Sequence, residues 1–209
     1  MSIPVYLAIN HEETVNHPPK LLCQTGYGFH SNGSVRTPVK IISNTVAVID
    51  DFYLPNFSPS AIHLLRDKIS NGCILDFERR PTQLHKKLIQ TLQDKKIIAL
   101  PAEFHAFAPT ALPILNCLEL CNNWSEFLKK AHSRFPNGWM LELTPWQHLR
   151  EGKQNSSAGY LPHALCRYRQ KEKQILYYDT KETLSKKISA AEGFNCKAVI
   201  VLYSDVKSL

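Results

Sequence analysis

No stretch of the 209-residue chain approaches the roughly 20 consecutive apolar residues that a spanning helix requires, which excludes a helical membrane protein. A Gly-rich phosphate loop, a G-x-S-x-G elbow and an H-E-x-x-H helix are also missing, so nucleotide chemistry, triad hydrolysis and zinc proteolysis have no foothold. The first ten residues carry neither a basic leader nor a long apolar core; no secretory signal is read there, and a cytoplasmic location is expected. Like charges never form a block of five. The formal net charge of +7 is spread over several helical segments, the pattern of a solvated outer face, and neither nucleic acid nor a membrane is an expected partner. The six cysteines lack zinc-ligand spacing: Cys117 and Cys121 are the closest pair, with no histidine or second cysteine pair following them. No metal or cofactor is expected. Four of the six sit in apolar strand-like runs, where cysteine acts as a small, reduced hydrophobe.

What is present is an ordinary globular composition, 44% hydrophobic and 21% charged. A single domain over residues 1–209 is expected, large enough to bury about 70% of its unfolded surface. Residues 1–44 read as irregular strands: Val5 to Ile9, Leu21 to Gly26 and Val39 to Ile42 are short apolar runs separated by His17-Pro18-Pro19 and Ser31-Asn32-Gly33-Ser34. Regular β/α units follow over 45–205. Strands are predicted at Thr45 to Ile49, 73–77, Ile97 to Leu100, Ile114 to Leu120, Trp139 to Leu143 and Ala198 to Tyr203. Helices are predicted at Ser60 to Ser70, after Pro81-Thr82, after Asn122-Asn123-Trp124-Ser125, and after Asp179, which has capping-box spacing to Glu182. Residues 150–163 read as polar, with Asn155-Ser156-Ser157-Ala158-Gly159 as a mobile loop, and Leu165 to Tyr168 with Gln174 to Tyr178 as an added hairpin near 164–178. Alternating strands and helices argue for a parallel sheet curling into a (β/α) barrel of TIM type, incomplete or abbreviated on its N-terminal side.

The chain is organised around Asn71-Gly72-Cys73-Ile74-Leu75-Asp76-Phe77-Glu78-Arg79-Arg80-Pro81. Period-2 alternation puts Cys73, Leu75 and Phe77 on one face and Ile74, Asp76 and Glu78 on the other, so two carboxylates leave the end of an apolar strand together. In a cleft, desolvation and a like-charged neighbour keep one such carboxyl protonated as a general acid. At the surface, Glu78 would instead pair with Arg79 or Arg80.

This segment resembles the fourth-strand pattern D-G-x-D-x-D-x-E of the family 18 glycoside hydrolases, the chitinase-like (β/α)8 barrels. Aligned on the glutamate, Glu78 falls on that family's proton donor and Asp76 on the aspartate beside it, whereas Asn71 and Ile74 replace two further aspartates. The Pro101-Ala102 pair after the next strand and the stretch from Tyr178 to Val201 also resemble the family, in the right order. The resemblance implies substrate-assisted hydrolysis, in which the glutamate protonates the glycosidic oxygen and the aspartate orients the sugar's own N-acetyl carbonyl for attack on the anomeric carbon. The family's Met-x-Tyr-Asp run is replaced by Glu119-Leu120-Cys121-Asn122, and its last-strand tryptophan by the neighbourhood of Leu202 and Tyr203.

Active faces of such barrels lie at the C-terminal strand ends. Asp51, Glu103, Asn122 and Glu142 are polar residues expected there, with Trp146 and Tyr203 as aromatic platforms for a carbohydrate ligand and Tyr27 and Phe104 behind them. Three readings stay open: a glycosidase using Glu78 and Asp76, an inactive barrel that binds a glycan or a protein, and a scaffold with no sugar site whose cup is filled by its own side chains. The abbreviated N-terminal side leaves room for a partner subunit.

Overall fold

The computed structural model describes residues 3–10, 21–54, 58–117, 123–145, 147–152, 154 and 156–207. The chain divides into two compact bodies, Val5–Ile114 and Leu115–Leu209 with Met1–Pro4.

In the first body the apolar N-terminal runs form parallel strands: β1 (Val5–Ile9) pairs with β2 (Leu22–Phe29), and β2 with β4 (Val46–Asp50). A two-residue strand β3 (Val35–Arg36) folds back antiparallel on Gly28 and Phe29. The third apolar run is no strand. Val39 is 94% exposed, and the backbone of the run bonds to the Gln24 side chain, with the Lys40 carbonyl accepting at 2.6 Å and the Ile42 amide donating at 3.1 Å. No helix lies between β2 and β4 among the described residues, and the β1–β2 connection, residues 11–20, lies outside them.

Regular units then follow. The helix α1 (Pro59–Asp67) opens on a proline, whose missing N–H costs nothing in the first turn, and buries Ala61, Ile62 and Leu65. The strand β5 (Cys73–Asp76) lies parallel to β4 and to β6 (Ile97–Pro101). Gly72 precedes it at φ +88°, and a Cβ there would meet the Lys96 carbonyl at 2.8 Å, so backbone hand and crowding both demand glycine. The helix α2 (Gln83–Thr91) starts where Pro81-Thr82 predicted, with Thr82 as its cap. Leu75 and Phe77 pack with Ile62, Leu65, Leu88 and Ile89 in one core. The strand β7 (Leu112–Asn116) pairs parallel with β6 and begins before the predicted Ile114, taking in Pro113. Residues 118–120 of the predicted strand lie outside the described residues.

In the second body Asn123 caps α3 (Trp124–Arg134) by accepting from Glu126 N at 3.1 Å. Parallel strands β8 (Trp139–Glu142) and β13 (Cys196–Leu202) pack with α3 and with α4 (Lys181–Glu192) around Trp124, Trp139 and Val199. The predicted hairpin is part of a larger unit: β9 (Gln147–Glu151), β10 (Ala158–Leu161), β11 (Cys166–Lys171) and β12 (Gln174–Tyr178) form an antiparallel sheet in the order β10-β11-β12-β9. Within the polar stretch 150–163, residues 150–151 and 158–161 are therefore strand, and these take in Ala158 and Gly159 of the expected mobile loop. Thr180, not Asp179, caps α4; Asp179 is buried, accepting from Lys187 Nζ at 2.7 Å and from Thr183 Oγ1 at 2.8 Å. The final turn α5 (Tyr203–Val206) follows β13.

Cys23, Cys73, Cys166 and Cys196 are free and buried, as their apolar surroundings predict. Burial pushes the Cys23 and Cys73 thiols up to about 12 and those of Cys166 and Cys196 to about 11.

Candidate active site

Alternation along β5 continues past its last hydrogen bond. Leu75 and Phe77 are buried in the helix-packed core, Ile74 is buried on the opposite face, and beyond it Asp76 and Glu78 are both exposed. Two acids thus leave the strand on the side away from the helices. Arg79 does not cover Glu78; its guanidinium donates to the Phe52 carbonyl in the loop after β4.

Asp76 stands in register with Asp50 on β4. Two carboxylates on adjacent parallel strands repel at about 5 Å unless one is compensated. Arg36 on β3 supplies the compensation through an ion pair with Asp50. Gly28 makes room for it, since a Cβ there would lie 3.0 Å from the guanidinium and 3.1 Å from the Asp50 carboxylate. Asp50 Oδ1 also accepts from Phe52 N at 3.1 Å, which shapes the turn out of β4.

Asp51 takes a different place from the one expected. It is 2% exposed, on the helix-packed side of β4, and does not line a substrate cup. Its Oδ1 accepts from Glu78 N at 3.2 Å, and its Oδ2 from Arg79 N at 3.0 Å, with His85 Nε2 also 3.0 Å away. A buried carboxylate is tolerated only with such a full set of partners. His85, also buried, completes a three-ring cluster with Phe77 and Phe104, at centroid distances of 5.0 and 4.9 Å from them, the two phenyl rings being 5.1 Å apart. Sequence reasoning missed it, although its place three residues after Thr82 made it a capping-box partner.

The other predicted residues fall in several places. Glu103 is exposed in a 3-10 segment, Ala102–Phe107, after β6. Tyr27 and Phe104 are core residues, 2% and 1% exposed, and offer no face to a sugar. In the second body Glu142 ends β8 half-buried, and Tyr203 begins α5 half-buried with the Lys207 ammonium 5.9 Å from its ring. Asn122 and Trp146 lie outside the described residues. Among the described residues no cluster of three or more His, Cys, Asp or Glu side chains has the spacing to hold a metal ion.

No protein-family model matches the chain, and no curated protein matches it. Solved structures do. The spore cortex-lytic enzyme SleL of Bacillus megaterium aligns with a TM-score of 0.59 at 10% identity, over 95% of this chain and 70% of that one. A class V chitinase from Nicotiana tobaccum gives 0.59 at 9% identity, over 96% and 93%. A human pseudo-chitinase with retained chitooligosaccharide-binding properties gives 0.60 at 9% identity, over 96% and 92%. Identity this low speaks to the fold. Eight parallel strands, β1, β2, β4 to β8 and β13, with helices between the later ones, give this chain a TIM-type (β/α) barrel fold, similar to that of these chitinase and chitinase-like structures.

Proposed function

We propose that the protein hydrolyses a glycosidic bond of an N-acetylated sugar, with Glu78 as the general acid and Asp76 orienting the substrate's N-acetyl carbonyl. The observation that carries this reading is the exposure of both acids on one side of the β5 terminus, while the residues between and after them are anchored. Glu78 is then positioned to protonate the leaving oxygen, and Asp76 to hold the acetamido group that attacks the anomeric carbon. The chitinase-like fold supports the substrate class, since barrels of this kind include glycosidases and a chitooligosaccharide-binding protein.

A second reading, glycan binding without catalysis, is favoured by Ile74. The resembled pattern has a carboxylate at this position, whereas here a 1% exposed isoleucine stands before Asp76. Turnover of chromogenic N-acetylglucosaminides and cell-wall fragments by the parent and by Glu78→Gln separates the two. Hydrolysis that falls by about 10² or more in the variant supports the enzyme. An inactive parent that still binds chitooligosaccharide supports the second reading.

A further inference from the structure

Three backbone or side-chain N–H groups from residues 27 to 34 positions away converge on the carboxylate of Asp51. Two are the amides of Glu78 and Arg79, the third is His85 Nε2. The tautomer follows from the other side of the imidazole. Thr82 N, a donor and nothing else, points at His85 Nδ1 at 3.2 Å, and Thr82 Oγ1 lies 2.7 Å from the same atom. Nδ1 therefore accepts, and the ring proton sits on Nε2, aimed at Asp51.

We propose that Asp51 and His85 are positioning residues that fix the main chain at Glu78, so that the exposed acid springs from an immobilised backbone. The catalytic consequence rests on the function proposed above; the latch itself does not. Residues 77, 78 and 79 are all fastened. Phe77 packs on the His85 ring, Glu78 and Arg79 give their amides to Asp51, and the Arg79 side chain ties the same turn to the Phe52 carbonyl. His85 belongs to the first turn of α2, and its ring is clasped by Phe104 as well. The latch thus refers the position of Glu78 to β4, α2 and the core at once. A carboxylate is the right group for this task, because it alone offers acceptors in both directions without a competing donor. An amide at position 51 turns an NH2 toward one of the three N–H groups whichever way it is flipped. Displacing an acid by about 1 Å costs on the order of 10²-fold in rate, so the cost should fall on kcat and not on KM.

The test compares the parent with Asp51→Asn and His85→Gln, in which glutamine can still reach Asp51 with an N–H, and with Arg66→Ala at the exposed Arg66–Asp94 pair as a distant control. Amide hydrogen exchange at residues 78 and 79 is expected to quicken at least tenfold in Asp51→Asn and less in His85→Gln, with the control unchanged. Turnover of a chromogenic N-acetylglucosaminide is expected to lose about 10- to 100-fold in kcat in Asp51→Asn with KM within about twofold, and His85→Gln is expected to recover most of it. Should Asp51→Asn not fold, the exchange of His85→Ala, which removes the side-chain N–H to Asp51 altogether, decides alone. Exchange at 78 and 79 no faster than in the parent overturns the latch, whatever the activity. Faster exchange in the variant, together with a parent that shows no hydrolysis, upholds the latch and removes the enzymatic reading instead.

Discussion

Asp50 and Asp76 stand directly opposite one another at the ends of neighbouring parallel strands, and Arg36 ion-pairs with the first. The arrangement places a compensated acid beside a candidate catalytic one, on the face away from the helices. Losing the arginine leaves Asp50 without its counter-charge beside Asp76.

Arg36→Met is therefore expected to lower stability by about 1 kcal/mol, and by more at low salt, where the exposed repulsion is unscreened. Adding Asp50→Asn should restore most of the loss. Urea unfolding at two ionic strengths measures both, and a double variant no more stable than the single one contradicts the compensation.

Gly72→Ala should destabilise by more than about 1 kcal/mol, because φ +88° is strained for alanine and its Cβ would press on the Lys96 carbonyl at 2.8 Å. Thermal unfolding of the variant checks this. An unchanged Tm would mean that the turn into β5 has another way to close.

Much of this scaffold was legible from pattern alone. Leu75 and Phe77 alternate with Asp76 and Glu78 as predicted, and Thr82 begins its helix as predicted, because both signals are local. What was illegible depended on partners far along the chain. Asp51 is separated from His85 by 34 residues, and nothing in the Asp50-Asp51 pair says which acid turns to the core. Strand β9 is mostly polar and β10 is a four-residue run containing a glycine, so neither carries a clean strand pattern and only their pairing with β12 and β11 makes them strands. Asp179 had the spacing of a cap, yet the buried Lys187 claimed it.

Lys187 and Asp179 are both fully buried, 2.7 Å apart, and burial pushes the lysine below its ordinary range while Asp179 opposes the shift. Lys187→Met should cost about 3 to 5 kcal/mol by stranding a buried carboxylate, and Lys187→Met with Asp179→Asn should cost less. Chemical denaturation separates these outcomes; equal losses in the two variants would mean that the pair acts through shape alone.

Alkaline stability should reflect the buried thiols. Cys23 ionises near its ordinary 9.0 when unfolded but only at about 12 when folded, so its contribution is complete below pH 9 and is lost as pH rises toward 12. In Cys23→Ala the decline over that window should be shallower by about 1.4 kcal/mol per pH unit at most. Unfolding free energies from pH 8 to 10.5 check the slope, and identical slopes in parent and variant would contradict the assignment.

The most direct measurement is a crystal structure of Glu78→Gln with a chitooligosaccharide. The account predicts a glycosidic oxygen within about 3 Å of the residue 78 side chain and an N-acetyl group beside Asp76. A sugar bound away from the end of β5, or none bound at saturating concentration, would contradict it.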